Sequence, residues 1–286
     1  MKREASEARD AIVARIRDDT RRGASELARD AVSALPDFAE LLSDDVLPEA
    51  RRLARELAST RPTLGAIGGL LDHCLRELPS DRPPHAAVRY AAERTLAWAQ
   101  DASERAVSHA VDALHGAKAI LTHSRSSTVE RVLSRLAPPA RVVVSESHPG
   151  LEGHDLARHL AENGAQVDIV TDAELALVVG EVDAVLVGAD AILADGSVIN
   201  KVGTHLLALA AREREIPFYV CAESFKLTGG TSFEPEEHDP NELEAPEIPG
   251  IRPLNYYFER TPAKLVSIYL SDVAIEDEVE LPPKRR

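Results

Sequence analysis

The hydrophobic period changes once along this chain, near Gly116, and that change constrains the fold more than any other feature. Before it, apolar residues recur at three- and four-residue steps, as in Ile12 and Ile16 and again in Val88, Ala91, Leu96 and Trp98, with Arg and Glu between them. That is the helical period. Breaks at Pro36, Pro48, Pro62 and Pro83-Pro84 divide the region into four or five helices, the last over 85–115. After Gly116, short runs of Val, Ile and Leu alternate with helical segments. The runs predict strands over 119–122, 141–145, 166–171, 184–188, 218–222 and 265–269, with helices over 127–136, 153–163, 173–179 and 203–214. Alternation of this kind specifies a parallel sheet with crossover helices. The chain is therefore expected to be an α/β protein: a helical N-terminal domain over 1–116, then a doubly wound parallel-sheet domain over 117–286. An Asp195-Gly196 turn between apolar flanks marks a small hairpin over 192–200. The Gly-, Pro- and acid-rich stretch over 228–253 reads as a long surface loop.

At 286 residues the chain has room for two cores. Its net charge of −15 argues against neutralising nucleic-acid phosphates or binding an anionic membrane surface. Only six of the 33 basic residues are lysines; acidic excess with scarce lysine suits a high-salt cytoplasm, where surface charge sustains solubility. Cys74 and Cys221 are too few for a disulfide framework. No apolar leader follows Met1, and no run approaches the ~18 apolar residues of a membrane span. A cytoplasmic location, without membrane association, is the expectation.

Neither the G-x-G-x-x-G fingerprint, nor a Walker phosphate loop, nor G-x-S-x-G occurs. His154 and His159 stand five residues apart, a spacing that turns them away from each other on a helix, so no metal site or cofactor is expected. What remains is a set of polar clusters at predicted strand ends, where a doubly wound sheet binds its ligands. Thr122-His123-Ser124-Arg125-Ser126-Ser127-Thr128 opens a helix with far more hydroxyls than a cap needs, together with a guanidinium. Arg125 and Ser126 there suit a phosphate. Asp190 ends the fourth strand, and Asn200 and Lys201 follow it across the hairpin; Lys226 follows the fifth strand. An acid facing an amide and ammonium groups can hold a phosphorylated sugar, the cations for phosphate and the acid for a hydroxyl or ring oxygen.

These clusters, in this order, resemble a family that joins the α, β and δ subunits of eukaryotic translation initiation factor 2B with methylthioribose-1-phosphate isomerase and archaeal ribose-1,5-bisphosphate isomerase. Carrying the resemblance are Thr122-His123-Ser124, Glu146 to Gly153 with His148-Pro149-Gly150, Val187 to Ala191, Asn200 to Thr204 and Phe218 to Lys226. The resemblance implies a helical domain on a Rossmann-like domain, assembled as homodimers or higher homo-oligomers. It implies that Asp190 is the acid that assists opening of a furanose ring. Ser124 stands where the isomerases have a thiol that helps move hydrogen between the first two carbons. A serine hydroxyl is a far weaker acid than a thiol, whose pKa is ordinarily ~8.5. Arg61, in Thr60-Arg61-Pro62-Thr63, falls near the isomerases' phosphate-contacting turn, and His148 stands where Arg is more frequent.

Two functions follow. The loss of the thiol favours a binding or regulatory protein like the initiation factor 2B subunits, with a retained pocket for a phosphorylated pentose or nucleotide and with initiation factor 2 as a partner. The retained Asp190, Asn200, Lys201 and Lys226 favour the alternative, an aldose–ketose isomerase acting on ribose 1,5-bisphosphate or methylthioribose 1-phosphate. The resemblance and the missing thiol together place the regulatory reading first.

Overall fold

A computed structural model describes residues 2–136 and 140–275. Five helices come first: α1 (Lys2–Arg17), α2 (Ala24–Glu40), α3 (Val46–Thr60), α4 (Gly65–Arg76) and α5 (Pro84–Ala113). Each of α2 to α5 turns an apolar stripe inward. Leu27, Val32 and Leu35 of α2 meet Ile67, Leu70 and Leu71 of α4 in one core, and each such fully buried side chain contributes ~1.5–3 kcal/mol. Pro36 corrects the expected break, because it lies inside α2. The ring costs the helix a hydrogen bond, but Leu35, Phe38 and Ala39 are buried on either side of it and hold the turn in place.

Helix α5 enters both halves of the molecule. Val88, Ala91 and Ala99 belong to the helical core, whereas Ala106, Val107 and Ala110 belong to the core against the sheet. Alanines at four-residue steps keep that face flat enough to lie close to the strands.

The main sheet is parallel, in the order β3-β2-β1-β4-β7-β9: β1 (Ala119–Thr122), β2 (Arg141–Ser145), β3 (Val167–Val170), β4 (Ala184–Val187), β7 (Phe218–Cys221) and β9 (Ile268–Leu270). Strand β1 pairs with β2 on one side and β4 on the other. The chain runs outward from β1 to β3, then returns to continue in the other direction, so the switch point lies between β1 and β4. Crossovers use α6 (Ser127–Arg135), α7 (Glu152–Glu162), the short α8 (Leu175–Val178) and α9 (Thr204–Glu213). The last strand begins later than predicted. Ala263–Leu265 forms a single tight turn after Pro262, with Leu265 N–H donating to the Pro262 carbonyl; Ser267 N–H then donates to the Phe218 carbonyl (2.8 Å), and strand pairing with β7 starts at Ile268.

The hairpin after β4 consists of β5 (Ala191–Ile192) and β6 (Val198–Lys201), and the structure adds β8 (Phe258–Thr261) to make a small antiparallel sheet. The long loop before β8 is fastened down. Thr63 donates to Glu236 (2.7 Å), Tyr257 to Glu242 (2.6 Å), and the His238 ring stacks on Tyr257 at 3.9 Å.

Helix α4 presses on the chain segment after β7. A Cβ at Gly69 would lie 2.0 Å from the Phe225 carbonyl oxygen, and one at Gly65 2.9 Å from side-chain atoms of Ala191 and Thr228. Only glycine permits this approach.

Candidate functional site

The switch point opens into a cavity whose floor is the α/β half and whose roof is the helical half. Floor residues include Ser124 to Ser127, Glu152, Asp190, Asn200, Lys201 and Lys226; the roof comes from 20–26, at the start of α2, and from Arg61 and Leu64, between α3 and α4.

The loop after β1 is shaped by a buried network. Ser124 has φ = 62°, a left-handed conformation that a non-glycine residue holds only when its surroundings impose it. Its N–H donates to Ser147 Oγ (2.7 Å). His123 Nε2 faces the Val202 carbonyl (2.7 Å) and Nδ1 lies 2.6 Å from Ser145 Oγ. A nitrogen against a carbonyl must carry the proton, so Nδ1 accepts from Ser145 and the ring is neutral. Burial holds its pKa below the usual histidine value. Both nitrogens are engaged, so His123 shapes the loop instead of activating Ser124.

Ser126 accepts from Val129 N–H (3.4 Å) as the cap of α6 while also lining the cavity. Gly188 makes room for it, since a Cβ there would stand 2.6 Å from Ser126 Oγ. Arg125 lies at the mouth, exposed, with Nε 3.3 Å from Glu130.

The loop after β2 departs from the sequence expectation at one residue. The sequence groups His148 with the phosphate-binding residues, but its side chain is exposed and lies off the cavity wall. The reason is local. Ser147 has φ = 64°, and the carboxylate of Asp172 accepts both Ser147 N–H and His148 N–H (2.9 and 2.7 Å), which turns the loop outward there. From the same loop it is Glu152 that reaches the wall. Gly153 lets α7 start against β2, where a Cβ would fall 1.8 Å from the Ser145 carbonyl oxygen.

Asp190 follows β4 and is fixed by its N–H donating to the Ile199 carbonyl (2.8 Å) across the hairpin. Among the described residues its carboxylate has no hydrogen-bond donor. Withdrawal from water pushes its pKa up to about 6, opposed by the charges of Lys226, Arg61 and Lys201 and aided by Glu152. Lys201 is buried, its Nζ 3.0 Å from Glu152 Oε1 and 4.2 Å from the centre of the Tyr257 ring. Asn200 donates to Thr204 Oγ1 (3.0 Å), which in turn donates to the Lys201 carbonyl (2.6 Å). Lys226 Nζ lies 3.1 Å from Glu223 Oε2. Arg61, buried, donates to the Asp19 carbonyl and is thereby tied to the turn before α2.

Sequence reasoning treated the helical half as scaffold and missed Arg21, Arg22 and the first turn of α2, together with Glu152, Tyr257 and Phe258. One signal existed: Thr20-Arg21-Arg22-Gly23-Ala24-Ser25 repeats the pattern of hydroxyls and guanidinium before a helix seen at 122–128. Neither thiol belongs to the cavity wall. Burial pushes Cys74 up to about 11 and Cys221 up to about 12, far from the range in which a thiol acts at neutral pH. Among the described residues no group of three or more His, Cys, Asp or Glu could hold a metal ion.

Residues 20–276 match the Initiation factor 2 subunit family. The chain belongs to this family. Ribose 1,5-bisphosphate isomerase of Archaeoglobus fulgidus is 32% identical over 270 residues, covering 91% of this chain and 86% of that one. Methylthioribose-1-phosphate isomerase of Pelotomaculum thermopropionicum is 32% identical over 261 residues, covering 81% and 71%. The crystal structure of translation initiation factor eIF-2B from Pyrococcus horikoshii OT3 superimposes with a TM-score of 0.81 at 29% identity, covering 93% and 95%. These relatives correct the order of the two functional readings. The family also holds translation-factor members, but the isomerase names favour the isomerase alternative over a regulatory, initiation factor 2B-like protein.

Proposed function

We propose that the chain is an aldose–ketose isomerase acting on a ribose phosphorylated at C1, either ribose 1,5-bisphosphate or methylthioribose 1-phosphate. The observation that carries this reading is Asp190, a carboxyl that among the described residues has no hydrogen-bond donor, its pKa pushed up to about 6, on the floor of a cation-lined cavity. Such a group can both give and take a proton near neutral pH. It gives one to the ring oxygen as the bond from C1 to that oxygen breaks, the C2 hydrogen moves with its electron pair to the electron-poor C1, and Asp190 recovers a proton from the C2 hydroxyl as the C2 ketone forms. Lys201, Lys226, Arg61, Arg125 and the capped start of α6 with Ser126 hold phosphate, and Asn200 keeps the Lys201 segment in register. Ser124, placed by its strained backbone, offers a hydroxyl to the same carbon pair. Lys201 and Lys226 are buried beneath the roof, which strengthens their charge interactions. The same reading includes two domains, over 1–116 and 117–286, a homo-oligomer assembled through the second of them, and a cytoplasmic setting; no helix among the described residues is long and apolar enough to cross a membrane.

The test is a coupled turnover assay of the purified protein in concentrated potassium chloride, with each sugar phosphate offered separately. Ketose is expected from one of them, to be abolished by Asp190→Asn and raised by Ser124→Cys. Thermal stabilisation by both ligands with no ketose from either would overturn the reading.

A further inference from the structure

Glu223 follows β7 and is 1% exposed, an expensive place for a carboxylate. Its Oε1 accepts from Ser103 Oγ of α5 (2.7 Å) and Thr128 Oγ1 of α6 (2.8 Å), and its Oε2 faces Lys226 Nζ at 3.1 Å. Ser103 in turn accepts from Arg29 of α2 (2.7 Å). The chain Arg29, Ser103, Glu223, Lys226 therefore runs from the helix whose first turn roofs the cavity to an ammonium on its floor. The next residue, Ser224, is pinned by Asp272, which accepts both its N–H and its hydroxyl (2.7 and 2.8 Å). A bridge between Leu227 and Ile192, with Thr228 N–H donating to the Ile192 carbonyl (2.8 Å), sets this segment beside the strand that begins one residue after Asp190. Lys226 itself is 4% exposed.

We propose that Glu223 is a positioning residue for the isomerisation, one that holds the Lys226 ammonium beside Asp190 and couples that placement to the helical roof. The inference rests on the reading of Asp190 as the acid of the proposed reaction. An ammonium buried to this degree without its counter-charge either leaves the floor or gives up its proton. Both outcomes withdraw from Asp190 the strongest of the three cations that hold its titration down, leaving Arg61 and Lys201 against Glu152.

The experiment follows the Asp190 titration in the full chain by ¹³C carboxyl shifts, alongside the Asp190-dependent limb of the kcat/KM profile for ribose 1,5-bisphosphate. Glu223→Gln keeps an acceptor for Ser103 and Thr128 but removes the charge. It is expected to raise the Asp190 midpoint by about one pH unit, as Lys226→Met does. The double variant is expected to add nothing beyond Lys226→Met, the mark of two residues acting through one group. Ser103→Ala, which removes one contact and no charge, is expected to shift the midpoint less. A midpoint unchanged or lowered in Glu223→Gln, or shifts that add in the double variant, would overturn the proposal. The carboxyl titration reads this without turnover, so a protein lacking isomerase activity would refute the proposed reaction while the role of Glu223 is still decided separately. Should Glu223→Gln fail to fold, the comparison of Ser103→Ala with Thr128→Val decides it: both must raise the midpoint.

Discussion

At the scale of single residues, the decisive fact is that Asp190 sits half-buried on the cavity floor, where among the described residues no donor reaches its carboxylate. Its folded pKa, about 6, lies above the 3.8 of a free aspartate. Below about pH 3.8 the group is protonated in both folded and unfolded chains and burial carries no ionisation penalty. As pH rises through 3.8 the unfolded chain ionises first, and stability falls until the folded group also ionises near 6. Asp190→Asn is therefore expected to be more stable than the parent by about 1–3 kcal/mol at pH 8. The difference should shrink toward zero near pH 4. Urea unfolding at the two pH values measures it, and an advantage of equal size at both would show that ionisation is not the cause. His123 shows the opposite use of burial. There a neutral ring with two engaged nitrogens builds the loop that presents Ser124.

At the scale of elements, α4 carries adjacent glycines with opposite roles. Gly69 touches the Phe225 carbonyl, whereas among the described residues nothing lies within 4 Å of a Cβ built at Gly68. Gly69→Ala is expected to force α4 off the segment bearing Lys226 and to cost several kcal/mol, with a fall in ligand affinity. Gly68→Ala is expected to stabilise by about 0.5–1 kcal/mol through lower unfolded-state entropy. Thermal unfolding of the two variants side by side would settle the assignment, and equal effects would contradict it. The period of the sequence located nearly every element but not this contact. A helical glycine reads as a weak position until the element facing it is known. Pro36 is a similar case: a helix breaker by local rules, it is held inside α2 by core packing on both sides.

At the scale of the whole molecule, a chain of net charge −15 gathers Arg61, Lys201 and Lys226 around one cavity. Long-range repulsion of anions is screened within about 10 Å at ordinary salt, while buried charges are screened far less. Lys201→Ala is expected to weaken ribose 1,5-bisphosphate binding at least tenfold in both 0.1 M and 1 M potassium chloride. Arg125→Ala, at the exposed mouth, is expected to weaken it only at the lower salt. Calorimetric titration at the two concentrations distinguishes them, and a salt-independent effect of Arg125 would place it deeper than the structure does.

The order of strands and helices was legible in the residues because hydrophobic period is a local property, and so were the polar clusters at the ends of β1, β4 and β7, because a doubly wound sheet always opens its ligand crevice there. Asp190, Asn200, Lys201 and Lys226 could be placed along one sheet edge on that ground alone, and they line one cavity. Only the tertiary structure decided that His148 turns away, that Glu152 takes the wall in its place, that the turn before α2 closes the roof and that Glu223 stands behind Lys226. Those are contacts between segments as many as 120 residues apart. Such contacts, within the α/β half as for Asp172 with Ser147 and His148 or between the halves as for Ser103 with Glu223, depend on tertiary packing that no local period or spacing encodes.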